Sequence, residues 1–266
     1  MKNRIQSIFL NKSKKLVTFI TGGDPNYKNS LKIINQLAES GSDIIEIGMP
    51  FSDPMADGPI IQLASQRAIK KNIDLNKIFK ICKNFRKKNN HTPIILMGYY
   101  NPIHYFGDKK FINKCAKSGI DGLIIVDLQP ENDGRLASIA KKNNIEFIRL
   151  VTPTTDKLRL KTILANASGF LYYVSITGIT GAKFRNLNKL KLSVNNLKNK
   201  TKLPVIVGFG IKTNIQAKKI SKFADGVIVG SSIVEMIQEH IIDKISLNNT
   251  LKKINKFIKS LKKAIN

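Results

Sequence analysis

Residues 38–59 read AESGSDIIEIGMPFSDPMADGP. The first half is a helix end, a small turn closed by Gly41 and Ser42, an aspartate (Asp43) and then an apolar strand built on Ile44, Ile45 and Ile47. The same order recurs at residues 116–127 (AKSGIDGLIIVD) and 221–230 (SKFADGVIVG). Strands that are apolar almost throughout, alternating with helices, belong to a parallel sheet covered on both faces. Working outward from this stretch, strands are expected at 15–21, 43–49, 93–99, 123–126, 146–150, 170–175, 204–207 and 226–229. Helical patterns fill the intervals at 29–40, 60–90 with a break near 72–74, 110–118, 131–143, 155–166, 187–200 and 212–222, and continue through the tail. Eight strand–helix units in about 250 residues match a closed barrel rather than an open doubly wound sheet. The expectation is an α/β protein, a single-domain TIM (β/α)8 barrel over residues 1–266 with an extra amphipathic helix at the N-terminus.

The second half of the opening stretch carries the chemistry. Glu46 interrupts an apolar strand. Ten residues bearing Pro50, Pro54, Pro59, Asp53 and Asp57 then follow, which can continue neither sheet nor helix. In a barrel of this kind the active site lies at the carboxyl ends of the strands. Asp24, Asp53, Asp57, Tyr99, Asp127, Thr180, Phe209 and Ser231 fall just past strand ends and are expected to converge there, with Glu46 and Tyr172 inside strands. Glycine-bearing turns after strands six, seven and eight (178–181, 208–210 and 230–232) sit where this fold binds phosphate through backbone N–H groups. Desolvation raises the pKa of an acid inside the barrel, which suits Glu46 to acid–base work, whereas Asp57 on the loop is expected solvated and ionised. No Schiff-base lysine or His-activated nucleophile is visible, and His91, His104 and His240 are scattered. The residues alone point to acid–base chemistry on a small phosphorylated substrate.

Composition narrows the classes further. The chain has 266 residues, 42% of them hydrophobic, with a formal charge of +27. Its pI is about 10.1 and its mean hydropathy −0.13. Such a charge could serve a polyanion, but lysines are spread along helices in pairs (Lys70 and Lys71, Lys87 and Lys88, Lys141 and Lys142, Lys218 and Lys219). No basic tail or interleaved aromatic platform accompanies them, so no nucleic-acid partner is expected. Cys82 and Cys115 lie apart in helical patterns and are expected as buried free thiols. No metal-ligand spacing is present. No apolar run approaches the roughly 20 residues of a membrane span, and the first residues lack a signal-peptide pattern, so no membrane is expected and the cytoplasm is the expected compartment.

The run from Glu46 to Pro59 closely resembles the signature of the tryptophan synthase α chain family. The resemblance extends through FITGGDP (19–25), YYNP (99–102), residues 124–127, YYVSITGITG (172–181), GFGI (208–211) and Gly230-Ser231, in order along nearly the whole chain. It implies a TIM-barrel lyase that cleaves indole-3-glycerol phosphate to indole and glyceraldehyde 3-phosphate by a retro-aldol reaction. By the same resemblance Glu46 is the proton donor and acceptor, Asp57 holds the indole N–H, and Tyr172 lines the indole end. Phe19, Tyr99, Ile124 and Phe209 are implied as pocket walls, Thr180 as a loop residue touching Asp57 on closure, and Gly181, Gly210, Gly230 and Ser231 as the phosphate cradle. Pro50 and Asp53 are expected to contact a β chain in an assembly of two α and two β chains. That β chain would carry pyridoxal phosphate, and this chain no cofactor. One departure is Ile176, where many relatives have Arg. Two rivals remain: another phosphate-binding barrel, which would lack the second acid of the strand-two loop, and a non-catalytic basic binding protein. Release of indole from indole-3-glycerol phosphate separates all three.

Overall fold

The aspartates of the repeat fasten neighbouring strands together. Asp43 Oδ2 accepts the Leu16 backbone N–H at 2.7 Å, Asp121 Oδ2 that of Ile94 at 2.8 Å, and Asp225 Oδ2 that of Val205 at 2.9 Å. Each aspartate precedes one strand and grips the first residues of the strand before it. Each is also met by a cation: Lys262 on Asp43, Lys198 on Asp225, and both Arg4 and Arg86 on Asp121. The repeat seen in the sequence is therefore a device for setting strand register.

The computed structural model describes residues 3–175, 187–208 and 210–266. Its strands are β1 (Lys15–Thr21), β2 (Ile44–Gly48), β3 (Ile94–Gly98), β4 (Gly122–Ile125), β5 (Glu146–Phe147), β6 (Arg149–Val151), β7 (Leu171–Val174), β8 (Val205–Gly208) and β9 (Gly226–Val229). Every pairing is parallel, in the order β5-β4-β3-β2-β1-β9-β8-β7-β6. The ends of that order, β5 and β6, are halves of one segment separated by Ile148, so the sheet is a nearly closed barrel. The expected fifth strand at 146–150 divides because its first half pairs with β4 and its second half with β7. Ile148 keeps its N–H on Leu123 O at 2.9 Å.

Alternation along the strands sorts two cores. Val17, Ile44, Ile95, Ile124, Ile148, Phe170, Ile206 and Ile228 fill the barrel together with Ile5. Ile5 comes from α1 (Arg4–Ile8), which plugs the end where the strands begin. There Asn3 donates to Asp121 O at 2.8 Å. The outward residues pack under the helices in a larger cluster.

Those helices are α2 (Tyr27–Glu39), α3 (Pro59–Lys70), α4 (Leu75–Arg86), α5 (Tyr100–Phe106), α6 (Asp108–Lys117), α7 (Gly134–Lys142), α8 (Lys157–Ala165), α9 (Leu187–Lys198), α10 (Asn214–Ser221), α11 (Ser231–Ile242) and α12 (Leu247–Ile265). Gly41 follows α2 at φ +102°, the left-handed turn that ends a helix without a Cβ penalty. The break expected near 72–74 separates α3 from α4, where Asp74 caps α4 by accepting the Lys77 N–H. The sequence reading did not expect α5. Pro102 lies in its first turn, where the missing N–H costs nothing, so the proline is compatible with a helix start there.

Candidate active site

Glu46 faces the barrel interior beside Phe19, its register partner on β1. The carboxyl is fully buried, and neither oxygen has a hydrogen-bond partner among the described residues. Burial, and after it the nearby Asp57 carboxylate, push its pKa up to about 8. An acid in this position keeps its proton at neutral pH, and no group among the described residues hydrogen-bonds it.

Asp57 sits at the end of the proline-stiffened loop, directly before α3. It is half-buried, not fully solvated as the sequence suggested, and burial lifts its pKa to about 6 while a hydrogen bond from Tyr99 pulls it down. Asp57 is therefore ionised at pH 7 and Glu46 is not. The separation arises first because Glu46 is the more deeply buried of the two, and then because Tyr99 lowers Asp57 while the Asp57 charge raises Glu46.

Tyr99, 3% exposed at the end of β3, does more than wall the pocket. Its hydroxyl accepts the Ala56 N–H at 3.0 Å and also hydrogen-bonds Asp57, so one phenol ties the loop's backbone and its acid to the neighbouring strand. Phe51, on the same loop, packs against the Tyr99 ring at 5.3 Å between centroids. The sequence signal for this was slight, namely a tyrosine at a strand end; the partner lies 42 residues away and only the fold brings them together.

Tyr172 faces inward from β7. Burial first, then the charges of Glu46 and Asp57, raise its phenol well above the usual range, so the hydroxyl lies within electrostatic reach of both acids. Gly208 makes room for it: a Cβ there would lie 2.7 Å from the ring and 3.0 Å from the hydroxyl. Ile124 is fully buried in the inner core next to the half-buried Met97, Leu150 and Tyr172. Phe19, 9% exposed, packs with Ala64 of α3 and Val234 of α11, flanked by Ile60, Ile61 and Met97. Ile60 and Ile61 were missed in the sequence, where they read only as the start of a helix.

On the opposite side Gly230 precedes α11, whose first residue is Ser231 and whose N-terminus carries no side-chain cap among the described residues. Gly210 is exposed, with φ +60°. Thr180, Gly181, Ile176 and Phe209 lie outside the described residues. Pro50 is half-buried and Asp53 exposed, the latter accepting the Ser52 hydroxyl at 2.6 Å; Met55 beside them is 81% exposed.

Two of the acids expected at the mouth are absorbed elsewhere. Asp24 is fully buried and held bidentately by Arg67, and Asp127 accepts the Tyr100 N–H at the start of α5 at 2.8 Å. Polar strand-end residues also serve to fasten loops, and these two do. Among the described residues no group of three His, Cys, Asp or Glu is placed to hold a metal ion, and no helix is long and apolar enough to cross a membrane. Cys82 and Cys115 are buried free thiols.

A β/α barrel carrying a protonated and an ionised carboxylate at the carboxyl ends of its strands defines a barrel enzyme of the acid–base class. The family model described as tryptophan synthase alpha chain matches residues 6–266. Tryptophan synthase subunit alpha from Legionella pneumophila superposes with a TM-score of 0.92 at 38% identity, covering 100% of this chain and 99% of the other. A structure from Aquifex aeolicus gives 0.86 at 34%, covering 98% and 96%. An aminoacrylate-bound tryptophan synthase from Mycobacterium tuberculosis gives 0.86 at 27%, covering 99% and 100%. The chain belongs to the tryptophan synthase alpha chain family. Its activity is the lyase half-reaction that cleaves indole-3-glycerol phosphate in tryptophan biosynthesis.

Proposed function

We propose that Glu46 and Asp57 carry that cleavage as a proton shuttle and an electrostatic anchor. The carrying observation is the buried, unpartnered Glu46 carboxyl with a pKa near 8 beside an Asp57 near 6. Glu46, protonated at neutral pH, delivers its proton to indole C3. The ring nitrogen becomes iminium-like, and Asp57 accepts its N–H and stabilises the positive charge, a preorganised electrostatic contribution. Glu46, now anionic, removes the proton of the hydroxyl on the adjacent carbon. The O–H electron pair becomes the aldehyde C=O, the C–C bond breaks, and its electrons return to the ring. Indole is released neutral, glyceraldehyde 3-phosphate leaves, and Glu46 again holds a proton.

Tyr172, Phe19, Tyr99 and Ile124 bound the indole end, joined by Phe209. The phosphate is held by the N-terminus of α11 at Gly230 and Ser231 with Gly210 and Gly181, the uncapped helix start supporting this assignment. The chain acts as a single domain in the cytoplasm and uses no cofactor. Its mouth, through Pro50 and Asp53, docks a β chain carrying pyridoxal phosphate, in an assembly of two α and two β chains. The exposed Met55 beside rigid prolines supports that interface.

The test is cleavage of indole-3-glycerol phosphate, read as indole released, with glycerol phosphate binding measured in parallel. Glu46→Gln and Asp57→Asn should each lose about 10²–10⁴-fold in kcat and still bind glycerol phosphate. Retention of more than a tenth of kcat in Glu46→Gln sinks the shuttle. Loss of glycerol phosphate binding in Asp57→Asn means the two ends of the site are reversed.

A further inference from the structure

Two helices follow β2, and the first, α3, lies against the mouth of the barrel. It begins two residues after Asp57. Its Ala64 packs on Phe19 and on Val234 of α11, with Ile60 and Ile61 alongside. The seat of this one helix therefore places both the acid loop and the apolar wall of the indole end.

Its later turns are held by Arg67. Arg67 Nε and Nη2 donate to the two oxygens of Asp24, each at 2.8 Å, and Nη1 reaches Gln238 Oε1 of α11 at the weak distance of 3.4 Å. Asp24, on the loop after β1, is 0% exposed. Burial raises its pKa, and the hydrogen bonds and charge of Arg67 oppose that rise. Without Arg67 the Asp24 carboxylate would be left buried and uncompensated. The fork geometry that meets both oxygens at once is available to Arg and not to Lys. Side chains on a helix lean toward its N-terminus, so this grip is applied toward the mouth.

We propose that the Asp24–Arg67 pair is the latch that seats α3 on the barrel mouth, making Arg67 a positioning residue for the cleavage reaction that acts through Asp57 and Phe19. The inference rests on the assignment of those two residues to the indole end. A pair that only stabilised the fold would lower the melting temperature and leave the turnover of folded molecules unchanged. A latch changes turnover itself, because small displacements of positioned groups cost large factors in rate.

The experiment uses Arg67→Lys and the double variant Asp24→Asn/Arg67→Gln, which strands no buried charge and so remains foldable. On folded protein, kcat and KM for indole-3-glycerol phosphate, glycerol phosphate affinity and hydrogen exchange are measured. The double variant is expected to lose about 10–100-fold in kcat. Its KM and glycerol phosphate affinity should change by less than its kcat, since α3 meets α11 through Ala64 on Val234 and the weak Gln238 contact rather than at Gly230 and Ser231 themselves. Arg67→Lys should fall between the double variant and the wild type, and exchange should rise in α3 while α10 and α12 keep their protection. Wild-type kcat in both variants, whatever their melting temperatures, overturns the proposal, as does a loss confined to KM. Glu46→Gln run beside them separates the two ideas: if it is dead while the latch variants are fully active, only the latch fails. If Glu46→Gln retains turnover, the site assignment fails first.

Discussion

Replacing Glu46 by Gln should make the protein progressively more stable than wild type as pH rises, while cleavage is lost. The carboxyl titrates near 8 in the folded protein against an ordinary value of 4.5. Between these values the unfolded chain has given up the proton and the folded one still holds it. The folded state binds more protons, so wild-type stability is full below about pH 4.5 and falls as pH rises toward 8. The slope for one proton is ~1.4 kcal/mol per pH unit, and across the roughly 3.5 pH units between the two values it amounts to about 5 kcal/mol as an upper figure. That is large against a total stability of roughly 5–15 kcal/mol. Gln cannot ionise and escapes the loss, while its own buried amide costs far less than a buried charge. Urea unfolding of both proteins at pH 5, 6, 7 and 8 gives the difference directly, and groups common to both cancel. The advantage of the variant should widen steadily over this range and level off above it. A difference that stays flat from pH 5 to 8 would refute the reasoning, because the Glu46 proton would then not be held by the fold.

The other expectations are read from activity. The kcat/KM of the wild type should be bell-shaped, with limbs near 6 and 8 for Asp57 and Glu46. In Asp57→Asn the residual rate should lose its acidic limb, and the alkaline limb should move down because the neighbouring negative charge is gone; an unmoved alkaline limb would show that the two groups do not interact. Tyr99→Phe removes the donor that lowers the Asp57 pKa, so the acidic limb should move up and kcat should fall about tenfold; a rate and limb identical to wild type would reduce Tyr99 to a wall. Asp53→Lys should weaken the rise in activity produced by added β chain and leave the isolated activity nearly unchanged. Loss of isolated activity with full activation would make the loop catalytic rather than communicative.

The barrel was legible because its signals are local. Within each repeat the helix end, the turn, the aspartate and the apolar strand stand within about ten residues of one another. The structure adds what the aspartates do, since Asp43, Asp121 and Asp225 each hold the backbone of a preceding strand. What escaped was set by partners distant in the chain. Asp24 and Asp127 looked like site acids because their partners, Arg67 and the Tyr100 amide, lie 43 and 27 residues away. The fifth strand was drawn as continuous because nothing in its residues shows that it changes neighbour at Ile148. The Tyr99 hydroxyl could not be joined to Asp57 and Ala56 until the loop was folded back on β3.

Glu46 was visible in the sequence for the same reason that it is costly in the fold. A lone acid in an apolar strand has few ways to be satisfied, and here both of its oxygens go without a partner among the described residues. A donor supplied to that carboxyl would lower its pKa and stabilise the folded state at neutral pH. The same donor would leave Glu46 ionised before substrate arrived, with no proton to give. Asp57 has such a donor in Tyr99 and is the ionised member of the pair. The stability withheld at Glu46 and the proton available to indole C3 are therefore one quantity. A variant that satisfies the Glu46 oxygens should gain stability and lose turnover together, whereas Glu46→Gln reaches the same pair of effects by removing the ionisable group itself.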